Sequence, residues 1–308
     1  MDLPLSRAAV PRLEFLATAG STNDELRTAA TGADAAAWPH GAVIVTDDQT
    51  SGRGRLGRTW SAPTGKTLAI SVLLRPELPG GAPFPSEGYG WIPLIAGAAM
   101  TEAVRRAVEG AASARADDAE EDDGTGGVEV ELKWPNDVLV SGYKVCGILS
   151  ELLPPSTGSG TPSTGSGTPS TGSGTTPTGS GTPAVVVGAG LNLTLDEHDL
   201  PTLTSTSLLL VTGVQPDADR VLADYLGTFL SLVRAFAEHG ADAAASGIAD
   251  RVSSLCGTLG AEVRVQLPGG HEVLGVAERL DADGRLLVRD RNGEAQAVAA
   301  GDVTHLRY

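Results

Sequence analysis

Aromatic residues and cysteines are scarce in this chain of 308 residues, and each shortage excludes a type of architecture. Phe, Trp and Tyr make up only 4%, so Ala, Val and Leu must fill most of the core, which 41% hydrophobic residues are enough to form. The two cysteines, Cys146 and Cys256, are far apart, which excludes a disulfide-stapled secreted scaffold. The five histidines are scattered and lack the spacing of a zinc site.

Basic charge and long apolar runs are also scarce. The chain has 22 Lys and Arg against 38 Asp and Glu, a net charge of -16, whereas a nucleic-acid-binding surface needs basic residues. The longest apolar run, near residues 91–100, is too short to cross a bilayer, and residues 1–20 lack the apolar core of a signal peptide. We therefore expect a cytoplasmic protein with no nucleic-acid or membrane partner.

Two segments differ in composition from folded sequence. Residues 117–123 read DDAEEDD, and such dense like charges repel one another and stay solvated. Residues 154–183 repeat STGSGTP with small variations and offer almost no apolar surface to offset the entropy of ordering. The repeat is either a flexible linker between domains or an enlarged loop within one domain, because closure entropy grows only slowly with loop length.

Periodicity predicts three helices and two groups of strands. Apolar spacing predicts helices over 22–37, 88–108 and 217–238, the first opened by Thr22 as N-cap with Glu25 three residues later. Alternation and turn signals predict strands at 42–46, 67–74, 128–134, 138–140, 144–152, 184–188 and 190–195. After residue 257, glycine-containing turns separate five short strands, which predicts a small all-β barrel near 261–267, 271–279, 285–290, 295–299 and 303–306.

The first candidate motif is the segment GRGRLGRTW at residues 52–60. The forked donors of Arg53, Arg55 and Arg58 suit carboxylate and phosphate oxygens, and the glycines let the backbone approach a ligand and let the loop move. The pattern is neither a Walker A loop nor a dinucleotide-binding turn. The alternative is a basic surface loop, although such a cluster is unusual in an acidic chain.

The second motif, KWPND, follows an alternating strand. Lys133 ends the strand on its polar face, where a strand's end presents a side chain to a ligand, while Trp134 lies on the apolar face and Pro135 stops the strand. The alternative is an ordinary strand end followed by a turn.

Two weaker signals lie outside these motifs. Ser21, Thr22 and Asn23 start a helix, so capping explains them without a ligand, although capping and ligand contact can coexist. Gly188 and Gly190 in the run VVGAGLNL indicate close approach of the backbone, either by a ligand or by another strand.

The order of these segments resembles the catalytic domain of biotin protein ligases. The resemblance is carried by STN, Gln49, GRGRLGRTW, KWPND, KVCGILSEL and VVGAGLNL, and the β-rich tail is similar to that family's C-terminal SH3-like barrel. It implies an α+β fold with a mixed β-sheet and flanking helices, related to class II aminoacyl-tRNA synthetases, over residues 1–255, and the barrel over 256–308. Because motifs flank the repeat, about 113–127 and 154–183 are then loop insertions within the first domain.

The resemblance also implies which residues form the site. Lys133 and Arg55 are the expected catalytic residues, which hold a carboxylate and a phosphate in line. Those expected around biotin are Ser21, Thr22, Asn23, Gln49, Arg53, Gly54, Arg55, Lys133, Gly188 and Gly190. Those expected around ATP are Arg55, Arg58, Trp60, Lys133 and Asn192.

The implied reaction has two steps. Biotin and ATP give biotinyl-AMP and pyrophosphate, and biotin then passes to a lysine of a biotin carboxyl carrier domain of a biotin-dependent carboxylase. Mg²⁺ is expected to enter with ATP and to neutralise pyrophosphate, with no residue assigned as its ligand. The arginine loop is expected to be mobile without ligand and to close over the mixed anhydride, which excludes water.

Other functions stay open beside this one. Lipoate–protein ligases share the fold and the adenylate chemistry, although KWPND after the arginine loop favours biotin. A biotin or nucleotide sensor without turnover is a second alternative. Some relatives carry an N-terminal DNA-binding domain, and the roughly 20 residues before STN are too few for one, so we expect no repressor function. The expected oligomeric state is a monomer or a weak homodimer.

Overall fold

The computed structural model describes residues 1–116, 127–153, 183–267 and 269–306. The acidic run at 117–123 lies outside the described residues, and so does the repeat except for Pro183. The predictions that these segments are loop insertions are therefore not addressed by the structure.

Two main sheets and a small hairpin make up the described β-structure. The larger sheet has seven strands in the order β1-β2-β5-β9-β8-β7-β6, and only β1 and β2 pair in parallel. Its strands are β1 (Leu13–Phe15), β2 (Val43–Thr46), β5 (Thr67–Leu74), β6 (Val130–Lys133), β7 (Asp137–Val140), β8 (Tyr143–Leu153) and β9 (Ala184–Asn192). The hairpin is formed by β3 (Gly52–Arg53) and β4 (Thr59–Trp60).

Helices cover both faces of the larger sheet, which explains why its central strands are continuously apolar. All eight residues of β5 are buried, as expected for a strand enclosed on both sides. Helix α2 contacts β2, β5 and β9, whereas α3 contacts β6, β7 and β8 and packs against α5. The helices are α1 (Pro4–Ala9), α2 (Thr22–Thr31), α3 (Ile92–Ala116), α4 (Leu208–Thr212), α5 (Ala218–Glu238) and α6 (Ile248–Leu255).

None of the helices in the described part of the chain is both long and apolar enough to span a membrane.

The predicted elements are confirmed except at their ends and in one strand. The predicted strands at 184–188 and 190–195 are one strand, β9, because its two glycines pair on both sides, with β5 and with β8. Helix α2 ends at Thr31, and its N-cap is Ser21, whose carbonyl oxygen accepts from the Glu25 amide at 3.0 Å. Prediction of Thr22 as N-cap was wrong because tertiary hydrogen bonds occupy its hydroxyl.

The C-terminal strands form a separate antiparallel sheet, as predicted. Its order is β13-β12-β11-β10-β14, and every neighbouring pair is antiparallel. Its strands are β10 (Glu262–Gln266), β11 (Glu272–Leu280), β12 (Leu286–Arg289), β13 (Ala295–Val298) and β14 (Asp302–His305). Helix α6 ends at Leu255, which supports our proposal that the domains meet between residues 255 and 256.

Two tryptophans join the C-terminal sheet to the larger one. The indole N–H of Trp91 donates to the Ala282 carbonyl at 2.7 Å, and that of Trp134 donates to the Gly284 carbonyl at 3.2 Å. A Cβ at Gly90 would lie 2.4 Å from a carbonyl oxygen of the same turn, so only glycine allows this approach. One continuous apolar core therefore spans both sheets.

The Trp91 hydrogen bond gives a test of this junction. Trp91→Phe removes this hydrogen bond and leaves a cavity at a side chain that is only 1% exposed, so we expect the free energy of unfolding in urea to fall by about 1–3 kcal/mol. Trp38→Phe is the control, because among the described residues the Trp38 indole N–H has no hydrogen-bond partner, and we expect a loss below about 1 kcal/mol. Equal losses in the two variants would contradict the proposed contribution of this bond.

Candidate active site

The floor of the candidate site is a row of residues across four paired strands. Lys133 of β6 pairs with Asp137 of β7, Asp137 with Gly147 of β8, and Gly147 with Gly190 of β9. Side chains of directly paired residues lie on the same face of a sheet. Two of these four residues are glycines and have no side chain, so this part of the face is bare backbone. A Cβ at Gly190 would lie 2.7 Å from the Trp60 ring, so the indole rests directly on the backbone.

The N-terminus of α2 contributes a buried chain of polar groups beside this floor. The Thr22 amide and hydroxyl donate to Gln49 Oε1 at 2.9 and 3.2 Å. Ser71 Oγ lies 2.8 Å from Thr22 Oγ1 and 2.6 Å from Asn23 Oδ1. A Cβ at Gly188 would lie 2.5 Å from Asn23 Oδ1, so this glycine allows the amide to approach β9. Thr22 and Asn23 therefore form tertiary contacts in addition to beginning helix α2.

An ion-pair cluster ties α2 to the arginine hairpin and to β8. Glu151 Oε2 accepts from Asn23 Nδ2 at 2.7 Å and lies 3.2 Å from an Arg53 guanidinium nitrogen. Its other oxygen, Oε1, lies 2.9 Å from Arg27. Asp24 pairs with both arginines, at 2.7 Å from Arg53. Two arginines and two carboxylates thus neutralise each other at this edge of the site.

The arginine motif folds as a two-stranded hairpin rather than as an open loop. Gly52 pairs with Trp60, and the Gly54 amide donates to the Arg58 carbonyl at 2.7 Å. A Cβ at Gly52 would lie 2.3 Å from both Gln49 Nε2 and the Trp60 carbonyl oxygen, so no larger residue fits. The backbone of the motif is thereby packed against the α2 polar chain. Its expected mobility without ligand stays a prediction.

The other two arginines of the hairpin have different partners. Arg55 donates to Asn136 Oδ1 at 2.8 Å, and Asn136 Nδ2 donates in turn to the Ile148 carbonyl at 2.8 Å, which fixes the amide orientation. Burial lowers the pKa of Arg55, which still stays charged near neutral pH because arginine titrates so far above it. Arg58 pairs with Asp302 of β14, and that hydrogen bond raises the pKa of Arg58.

Lys133 differs from its neighbouring lysine in having no anionic partner. Within the described ranges, its ammonium makes no ion pair, whereas Lys144 Nζ lies 2.6 Å from Asp137 Oδ1. A half-buried, unpaired ammonium at the end of a strand can bind a ligand anion without first breaking a protein contact. Asn192, by contrast, is buried and donates to the Thr206 carbonyl at 2.9 Å.

The predicted site residues fall into groups. The α2 polar chain and ion-pair cluster hold Ser21, Thr22, Asn23, Gln49, Arg53 and Gly188, while Trp60, Gly190 and Lys133 belong to the floor. Gly54 closes the hairpin. Arg58 pairs with Asp302 of the C-terminal sheet, and Asn192, two residues after Gly190 on β9, donates to the Thr206 carbonyl.

Sequence reasoning missed several contacting residues. Glu151 and Asn136 belong to KVCGILSEL and KWPND, so the motifs contained them, but nothing assigned them a role. Ser71 gave one signal, a hydroxyl in the middle of the apolar strand TLAISVLL. Asp302 had no signal in the sequence, because its contact with Arg58 depends on how the two sheets pack.

Comparison with known proteins identifies the family of this chain. Residues 19–161 match the Biotin/lipoate A/B protein ligase family, and residues 258–306 match the Biotin protein ligase C terminal domain. The chain is 33% identical over 297 residues to a biotin--[acetyl-CoA-carboxylase] ligase of Mycobacterium tuberculosis, covering 96% of this chain and 90% of that protein. The chain belongs to the biotin protein ligase family.

Solved structures of biotin protein ligases share the fold. The enzyme of Aquifex aeolicus in complex with biotin and ATP superposes with a TM-score of 0.65 at 23% identity, over 97% of this chain and 100% of that one. The enzyme of Leishmania major in complex with biotinyl-5-AMP gives a TM-score of 0.51 at 25% identity, over 94% and 99%. The predicted mixed sheet and C-terminal barrel are thus confirmed.

Gly190 offers a test of the floor. In Gly190→Ala the new methyl group displaces the Trp60 ring and the hairpin with it, so we expect the affinity for free biotin, measured by calorimetry, to fall about ten-fold or more. Gly110→Ala is the control, since its Cβ would meet no atom within 4 Å, and it should leave binding unchanged and stabilise α3 by up to about 1 kcal/mol. Wild-type affinity for biotin in Gly190→Ala would contradict the proposal that biotin binding needs the Trp60 ring to rest on bare backbone at this position.

Proposed function

We propose that this chain joins biotin to a carrier protein in two steps, through biotinyl-AMP. The observation that carries the proposal is the unpaired Lys133 ammonium at the end of a glycine-lined row, next to a hairpin that supplies Arg55. Biotin carboxylate and ATP are both anions, so the main task of the site is to bring them together. The ligands named in the two structural neighbours, biotin with ATP and biotinyl-5-AMP, support the same assignment.

The residues divide between two halves of the proposed site. We assign the biotin half to Ser21, Thr22, Asn23, Gln49, Arg53, Gly54, Arg55, Lys133, Gly188 and Gly190. We assign the ATP half to Arg55, Arg58, Trp60, Lys133 and Asn192. Arg58 pairs with Asp302 and Asn192 donates to the Thr206 carbonyl, so contact with a nucleotide requires each to exchange a partner.

The first step needs no protein nucleophile, because biotin supplies its own carboxylate. A carboxylate oxygen attacks the α-phosphorus of ATP, the bond to the bridging oxygen breaks, and pyrophosphate leaves. Lys133 and Arg55 hold the two reacting groups in line and stabilise the charge on the α-phosphate. Arg55 is suited to this role because its partner Asn136 is neutral, which leaves the guanidinium charge uncompensated by that contact.

The metal ion of the proposed reaction is Mg²⁺. In the part of the chain that the structure describes, no group of three or more His, Cys, Asp or Glu side chains is placed to hold an ion. We propose that Mg²⁺ enters bound to the phosphates of ATP, which is a common way for this ion to reach a protein, and no residue is assigned as its ligand.

In the second step a carrier lysine amine attacks the acyl carbon of biotinyl-AMP. An amide bond forms, the acyl–phosphate bond breaks, AMP leaves, and the amine proton passes to solvent. The relative from Mycobacterium tuberculosis is named for acetyl-CoA carboxylase, which supports a biotin carboxyl carrier domain as the partner.

We further propose a monomer or weak homodimer without nucleic-acid partners, given the net charge of -16. A cytoplasmic location is also proposed, in keeping with two buried, unbonded cysteines.

Lipoate is the alternative substrate, because the family description covers both biotin and lipoate ligases. The match of residues 258–306 to the Biotin protein ligase C terminal domain favours biotin.

Exchange of labelled pyrophosphate into ATP tests the proposed first step. We expect exchange that depends on free biotin and is absent with free lipoate. Exchange with lipoate alone would move the assignment to the related ligase. Absence of exchange with either acid, in folded protein that binds biotin, would favour a sensor without turnover.

Two variants test the proposed catalytic residues. Lys133→Ala and Arg55→Ala each remove a charge beside the reacting phosphate, so the rate of biotinyl-AMP formation should fall about a hundred-fold or more. The circular-dichroism spectrum should not change. Arg289→Ala removes an exposed arginine paired with Glu278 in the C-terminal sheet and should retain full activity. Collapse of the fold in both site variants, or full activity in either, would contradict the assignment.

A further inference from the structure

Glu151 contacts three side chains on two neighbouring elements through one carboxylate. Its side chain lies on β8 and is 22% exposed, and it contacts Asn23 and Arg27 of α2 and Arg53 of the hairpin. An ion pair that only stabilised the surface would need a single arginine. The shared contacts instead connect the α2 polar chain to the arginine motif.

The carboxylate also determines which way the Asn23 amide faces. The two ends of an asparagine side chain have almost the same shape, so hydrogen-bond partners decide its orientation. An ionised carboxylate can only accept, so Nδ2 faces Glu151, at 2.7 Å, and the Leu149 carbonyl oxygen is a second, more distant acceptor at 3.4 Å. Asn23 Oδ1 is then turned toward Ser71 Oγ, 2.6 Å away, above Gly188.

This orientation gives the site a defined polarity. The Asn23 oxygen has two lone pairs, and the Ser71 hydroxyl accounts for one contact. Among the described residues only Ser71 contacts the Asn23 oxygen as a donor, so its second lone pair can accept from an N–H donor of a ligand. Biotin carries two such donors in its cyclic urea, whereas lipoate carries none in its ring.

We propose that Glu151 is a positioning residue for biotin binding, which fixes the Asn23 amide with its oxygen inward and holds Arg53 against α2. The inference rests on the proposed function, since it names how that same site recognises the cyclic urea. Glu151 acts through Asn23 and Arg53 and does not itself react.

Glu151→Gln tests the proposal with the least change of shape. The neutral amide can donate as well as accept, so the orientation of Asn23 then depends on the longer Leu149 contact alone, and the charge beside two arginines is lost. We expect the KM for free biotin in pyrophosphate exchange to rise about ten-fold, while the KM for ATP stays within about two-fold. The control is Glu102→Gln, which removes the carboxylate paired with Arg251 at 2.6 and 2.7 Å between α3 and α6, and should change neither KM.

A charge exchange separates positioning from simple stabilisation. Asn23→Asp alone sets two carboxylates at the 2.7 Å contact and should raise the biotin KM more than ten-fold. In the double variant Asn23→Asp, Glu151→Gln the new amide donates to Asp, whose other oxygen still accepts from Ser71. We expect the double variant to return to within about three-fold of the wild-type biotin KM, a rescue that lost folding stability would not produce.

Calorimetric titration with free biotin on the same proteins distinguishes failure of this inference from failure of the proposed function. Wild-type protein that binds biotin but shows no exchange would overturn the proposed function alone, and the coupling between residues 23 and 151 would still be read from the dissociation constants. An unchanged dissociation constant in Glu151→Gln, or a double variant whose loss equals the product of the two single losses, would overturn the positioning role.

Discussion

The bare backbone of β8 and β9 is the constraint on which the candidate site depends. Trp60 rests on Gly190 and the Asn23 amide rests on Gly188, and any Cβ at either position would overlap those groups. Both approaches lie on the face of the sheet opposite α3, which is filled by residues such as Leu132 and Ile148. The same strands therefore serve as core on one face and as a ligand floor on the other. The alternation of side chains along a strand makes this division possible.

A second constraint is the distribution of charge around the candidate site. The chain is strongly acidic, yet it gathers arginines around one site and balances most of them with specific partners: Asp24 and Glu151 for Arg53, and Asp302 for Arg58. Lys133 and Arg55 are exceptions, one without an anionic partner among the described residues and the other bonded to a neutral amide. Two basic side chains without an ion pair thus lie where two anions are proposed to meet.

The sequence predicted some parts of this arrangement and not others, because each sequence signal depends on a different physical property. Apolar periodicity predicted the bounds of β5 as observed, because burial on both faces dictates that pattern. It placed the end of α2 at 37 instead of 31 and that of α3 at 108 instead of 116, and it missed the short helices α1, α4 and α6. The family resemblance identified the motif residues, but it could not supply Ser71 or Asp302, whose roles arise only when strands and domains pack. Thr22 shows the opposite case. Local capping rules predicted that its hydroxyl caps helix α2, but in the structure the hydroxyl contacts Gln49 and Ser71 instead.

The antiparallel pairing of β8 with β9 has a practical consequence. Leu153, the last residue of β8, pairs directly with Ala184, the first residue of β9, so the 30 residues between them leave and re-enter the sheet at adjacent points. The register of the two strands is set by their own ladder and by the glycines facing the site, not by the length of the connection. We therefore expect a change in the number of STGSGTP repeats to leave the pairing of β8 with β9 intact.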